Sequence, residues 1–200
     1  MPESPMMIGR VTRCSTRGFV GAMQISENAL PVFGSLCQAE AQGGRSYVVG
    51  LVYDISITDD QFARQLAGLD EIPQEQIADG QLNRQVPVEF SALAVGFHDD
   101  DGFHQSLPPQ PPLTLASVFS MVPKDGIDFT SELHFLQMIL NAPQLPVDEL
   151  LATTLRLSAQ ARPEEERERF LLQAGREVAR LLAQDLTRLE NILRGLRAKE

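Results

Sequence analysis

Cysteine is scarce in this chain and basic charge is short, and each shortage removes a class of function. Two cysteines among 200 residues, Cys14 and Cys37, are too few for a disulfide framework and lack the spacing of metal ligands, so they read as buried free thiols. The 17 basic side chains are outnumbered by 27 acidic ones, a formal charge of −10. That balance argues against general nucleic-acid binding, because affinity for a phosphate backbone comes mainly from Lys and Arg releasing counterions. The lysines are Lys124 and Lys199, and neither follows a glycine. A G-x-x-x-x-G-K-[ST] loop for nucleotide phosphates is therefore missing, as is a G-x-S-x-G nucleophile turn. No stretch reaches the ~18 apolar residues of a membrane span, and Met1 to Arg10 lacks the apolar core of a signal peptide. A cytoplasmic protein is expected.

What is present is an ordinary apolar content, 43%, enough for one compact domain or a small one with an appendage. Charge divides the chain into three. Residues 1–58 carry four basic and four acidic side chains, 59–155 three and fifteen, and 156–200 ten and eight.

In the first region short runs of β-branched and aromatic residues are punctuated by glycine, the pattern of strands and turns. Met7 to Arg13, Phe19 to Ile25 and Leu36 to Ala41 are candidate strands, and Gln42-Gly43-Gly44-Arg45 is a hairpin turn into Ser46 to Ile57. Tyr47 to Ile55 is apolar on both faces, which predicts a central strand with a bulge or bend at Gly50. Asp59 and Asp60 cap a short helical insertion near 59–72, followed by an acidic loop. Strand character returns over Gln85 to Gly96, and His98 to His104 has the chemistry of a hairpin tip. The prolines between Leu107 and Pro112 must leave the sheet. Strands this short have to close or bury their edges, and a small barrel does both.

Met7-Ile8-Gly9-Arg10-Val11, then Gly44-Arg45-Ser46-Tyr47-Val48-Val49-Gly50-Leu51-Val52, then Ala92-Leu93-Ala94-Val95-Gly96 running into the acidic hairpin and proline stretch, together resemble the HAS barrel. That domain precedes the motor of HerA-type DNA translocases and has a counterpart in the ATP synthase catalytic and non-catalytic subunits. The resemblance covers about residues 7–120. It implies a role in ring assembly and in docking to a partner nuclease. The motor itself is missing, since this chain lacks the phosphate loop and the ~80 residues beyond the barrel are too few for a RecA-like domain.

The third region is helical. Val147 to Gln160 forms one helix with Asp148 and Glu149 in its first turn. Pro163 then opens a long helix reaching about Arg197, with apolar residues at 171, 174, 178, 182, 186, 189, 193 and 196 and with Leu181 and Ile192 widening the stripe. At ~1.5 Å per residue it spans about 50 Å. It packs on the barrel, on the preceding helix, or in part on another chain. For that last contact the candidate residues are Val178, Leu182, Leu186, Leu189, Leu193 and Leu196. Arg176, Arg180, Arg188, Arg194 and Arg197 alternate with Glu177, Asp185 and Glu190, as on a solvated, salt-bridged face.

His98, Asp99, Asp100, Asp101 and His104 have the residue types of a metal site, but consecutive aspartates at a hairpin tip splay into water. His134 reads as a core or surface histidine rather than a general base. The expected fold is therefore α+β. A small closed or partly open β-barrel occupies 1–122, and a helical extension, a hairpin with one long helix, occupies 123–200. The expected function is a non-catalytic interaction or assembly module, not an enzyme, with no cofactor or metal. It would be accessory to a HerA-type DNA translocase or its nuclease, binding a protein partner or its own copy rather than nucleic acid or membrane. The alternatives are a metal-dependent hydrolase using the His98–His104 hairpin and a self-associating regulatory subunit.

Overall fold

The computed structural model describes residues 4–23, 30–57, 74–75 and 87–197. The insertion expected over 59–72 lies outside them. Seven strands are present among the described residues: β1 Met7–Ser15, β2 Gly18–Met23, β3 Leu36–Ala41, β4 Ser46–Ile57, β5 Val88–Asp99, β6 Gly102–His104 and β7 Ser117–Ser120. All pair antiparallel. The order β2-β1-β7-β3-β4-β5 returns to its start because β2 also pairs with β5, from Gly18 opposite Leu93 to Met23 opposite Val88. Six strands thus close a barrel, and closure removes the open edges that short strands would otherwise expose. β6 adds a seventh strand at the far end of β5, where Phe97 faces His104 and Asp99 faces Gly102.

The interior is filled by Ile8, Val11, Phe19, Cys37, Ala39, Val48, Val52, Phe90 and Val118. Two phenylalanines fit in so narrow a lumen because glycines stand opposite them. A Cβ on Gly50 would lie 2.7 Å from the Phe19 ring, and one on Gly21 would collide with the Phe90 ring. Gly50 also marks a register shift between β4 and β5, so the bulge expected there is present. β4 is central as expected, paired with β3 and β5, and Val48, Val49, Leu51 and Val52 are all buried. β7 was not expected. Its four residues follow the prolines and join β1 to β3.

Among the described residues five helices follow: α1 Pro123–Phe129, α2 Phe135–Leu140, α3 Val147–Gln160, α4 Glu164–Leu181 and α5 Leu186–Arg197. They form a second core with the outer face of the barrel, in which Val49, Leu51 and Val95 meet Phe129, Phe135, Leu136, Leu150, Leu151, Leu155, Val178 and Ile192. Gln105 clasps the α1–α2 turn to this assembly. Its amide donates to the carbonyls of Phe129 (2.6 Å) and Glu132 (2.9 Å), and its oxygen accepts from the Phe135 N–H (2.9 Å). Arg162, buried after α3, donates to the Ser158 carbonyl (2.7 Å) and the Thr130 hydroxyl (2.8 Å) and lies 3.7 Å over the Phe170 ring. Burial pulls its guanidinium below the ordinary arginine value, while nearby Glu166 opposes that shift.

α3 has the bounds expected of it. The single long helix from Pro163 to Arg197 does not exist, because the chain breaks between Leu181 and Leu186. Asp185 starts the new helix, accepting the Arg188 N–H on its side chain (3.1 Å) and the Leu189 N–H on its carbonyl (3.0 Å). This is an N-cap. Both α4 and α5 pack against α3. Arg188 grips Asp148 of α3 at 2.7 and 3.0 Å, and a Cβ on Gly195 would lie 2.9 Å from that of Ala152. Apolar spacing could not reveal the break, since the stripe of threes and fours continues in phase across the turn.

Candidate interaction surface

The apolar stripe proposed as a partner contact is mostly spent inside the chain. Val178 is fully buried and Leu182 nearly so, both in the helical core, while Leu189 and Leu196 pack against that core. Leu193 lies beside Gly175 of α4, within 3.7 Å of where a Cβ would stand. The structure does not bring Leu186 to this group; it is 71% exposed at the start of α5. Of the stripe's arginines, Arg180 pairs with Glu177 (2.6 Å) and Arg194 with Glu190 (2.9 Å). The solvated, salt-bridged face is thus as expected for those pairs.

The His98–His104 hairpin divides its residues between two faces. Neighbours along a strand alternate sides while directly opposed residues share one. Phe97 and His104 therefore stack on one face (4.5 Å between rings) and His98 and Phe103 on the other (4.5 Å). Asp99 bonds the His104 ring (2.9 Å) and accepts the Asp101 N–H (3.0 Å). The His104 ring holds the Asp99 carboxyl below its usual range, helped by that N–H. Asp100 and Asp101 are exposed. Among the described residues no group of three or more His, Cys, Asp or Glu could hold a metal, so this hairpin offers a paired Asp–His and a polar turn.

Two clefts differ in charge. The larger, about 880 Å³, lies between the α1–α2 turn and α4, where Arg169, Arg176, Arg180 and His134 stand among Glu132, Glu165, Glu168 and Glu177. Its three arginines are thus set among four glutamates. His134 is exposed there, 3.7 Å from Glu132. The smaller, about 590 Å³, runs between the β1–β2 hairpin, β5 and the α2–α3 connection. Arg13 and Arg17 line it together with Cys14, Tyr53, Asn141 and Gln144, over apolar surface from Phe19, Leu93, Leu107, Met138 and Leu145. No Asp or Glu is among its lining residues as far as the described residues go. Sequence reasoning missed this site because its walls come from segments up to about 130 positions apart. The available signal was Arg13-Cys14-Ser15-Thr16-Arg17, two guanidiniums around a tight turn.

A third feature lies on the wall of the barrel away from the helices. After the prolines, Leu113 and Leu115 are 68% and 67% exposed, and Leu115 has φ +68°, the left-handed region that costs a branched residue strain. It is held there by its N–H to the Val11 carbonyl (2.7 Å) and by Arg10, whose guanidinium donates to the Leu115 carbonyl (3.1 Å). Met7, on β1 of the same wall, is also exposed.

The two thiols differ as well. Cys37 faces the lumen, and burial pushes it up to about 12; Cys14 is half-buried at the smaller cleft. Among the described residues no helix is long and apolar enough to cross a membrane. No protein-family model and no curated protein matches the chain.

Proposed function

We propose that this chain is a non-catalytic, cytoplasmic interaction and assembly module, a HAS-like barrel accessory to a HerA-type DNA translocase or its nuclease partner. The observation that carries the reading is the Leu113–Leu115 strap. A strained leucine left facing solvent and pinned by two hydrogen bonds, one donated to β1 and one accepted from it, is a cost that packing within the chain does not recover, and such strain concentrates at working surfaces. Exposed apolar residues beside a closed sheet suit a protein partner or a second copy. The strand order that resembles the HAS barrel supplies the class of partner, and the acidic net charge supports protein over nucleic acid.

The test is light scattering across a concentration series, first alone and then with a purified HerA-type translocase and its nuclease from the same host. A defined oligomer or complex that is lost in the Leu113→Asp/Leu115→Asp variant is expected. A monomer at every concentration that joins neither protein overturns the reading.

A further inference from the structure

The cleft beside the β1–β2 hairpin carries an inference that rests on the reading of this chain as an interaction module: we infer that it seats an acidic, partly apolar peptide segment of a protein partner. The charge argument comes first. In a chain with ten more acidic than basic groups, this cleft gathers two guanidiniums and, among the described residues, no carboxylate, and neither Arg13 nor Arg17 has a side-chain hydrogen bond or ion pair there. Other arginines of the chain do find carboxylates, as Arg180 finds Glu177 and Arg188 finds Asp148. Two unpaired forks facing one groove match carboxylates, which arginine binds bidentately.

Preorganisation is the second argument. The turn that carries Arg17 is fixed to the barrel, since its carbonyl accepts the Ala94 N–H (3.0 Å) and its own N–H donates to the Ser15 hydroxyl (3.2 Å). Little backbone order is then lost on binding. The third argument is the floor. Leu107, Met138 and Leu145 give apolar contact beside the hydrogen-bonding groups of Tyr53 and Gln144, so the occupant carries apolar side chains between its acids. A single-stranded nucleic acid is a poorer match, because it is bound by several aromatic platforms along a basic track and, among the described residues, Tyr53 and Phe19 are the aromatics of this lining.

Cys14 provides the readout. It lines the cleft, and the other thiol, Cys37, is buried and held protonated, so a thiol reagent reports on Cys14. A random peptide library is displayed against the full chain, and the enriched peptides are synthesised. Sequences with Asp or Glu flanking an apolar residue are expected, and they should slow modification of Cys14 by iodoacetamide. Their affinity should fall about tenfold in Arg13→Ala or Arg17→Ala and about a hundredfold in Arg13→Glu/Arg17→Glu. Failure to enrich any peptide, peptides without acids, equal affinity for the charge-reversed variant, or unprotected Cys14 would each overturn the inference. Tighter protection of Cys14 by oligothymidylate than by any peptide would also overturn it, in favour of a nucleic acid. Because the assembly test reads mass and the Leu113–Leu115 strap, either proposal can fail while the other stands.

Discussion

The two sides of the barrel are made from similar strands and end in opposite situations. On β4, Val48 and Val52 fill the lumen while Val49 and Leu51 disappear beneath the helices. On β1, Ile8 and Val11 fill the lumen, but Met7, Arg10, Thr12 and Arg13 face solvent. The covered wall is buried twice, and each additional Leu or Phe there contributes about 1.5–3 kcal/mol. The bare wall is buried once and keeps the features a stability argument does not explain, the left-handed Leu115 and the exposed leucines, while the unpaired Arg13 and Arg17 stand at its margin, where the β1–β2 hairpin meets the α2–α3 connection. Stability concentrates on one side, which leaves the other free to hold strain and uncompensated charge.

The largest test of this contrast is Phe129→Ala at the covered wall, which should cost about 3–5 kcal/mol in urea unfolding. Thr12→Ala on the bare wall should stay within about 0.5 kcal/mol. Similar costs at the two sites would erase the distinction. Next is Arg162→Met, which leaves the carbonyls of Ser158 and Thr130 without their donor and removes the contact to Phe170. A loss of about 3 kcal/mol is expected, and a variant as stable as the parent would show that the α3–α4 junction does not depend on it.

Inside the barrel, Gly21→Ala drives a methyl into the Phe90 ring and should cost about 1–3 kcal/mol through overpacking. Leu115→Gly should act in the opposite direction. It relieves a backbone strain of about 1–2 kcal/mol at some cost in unfolded-chain entropy, so the melting temperature should rise slightly while assembly weakens. A fall in stability would mean that Leu115 packs for its own chain.

The smallest effect concerns pH. Asp99 is held below its unfolded value by His104 and the Asp101 N–H, so below about pH 4 the unfolded chain binds more protons than the folded one at this site. The hairpin's share of stability is present above that pH and is lost as pH falls through the lower folded value. Asp99→Asn should flatten this part of the acid limb, and an unchanged limb would show that the pair contributes nothing.

Local chemistry made much of this legible in advance. Gln42 to Arg45 had to turn, the twice-apolar Tyr47 to Ile55 had to be central, and α3 was bounded by Pro146 and by the residues before Pro163. β7 was invisible because four residues carry too little periodicity. The break at Asp185 was hidden by a stripe that stays in phase. Among the candidate partner residues, spacing alone could not distinguish Val178, which is buried, from Leu186, which is not, because both belong to one stripe of threes and fours.

The sequence by itself determined that this chain forms short strands and then helices, with an acidic balance and without a phosphate loop, since those properties depend on residue types and on neighbours a few positions away. Only the tertiary structure decided that β2 meets β5 to close the barrel, that the helices cover β4 and β5 and leave β1 bare, and that Arg13 and Arg17 share a cleft with Asn141 and Gln144. Those outcomes depend on contacts between distant segments, whose energies come from burial and shape, and no local pattern in the chain encodes which surfaces will meet.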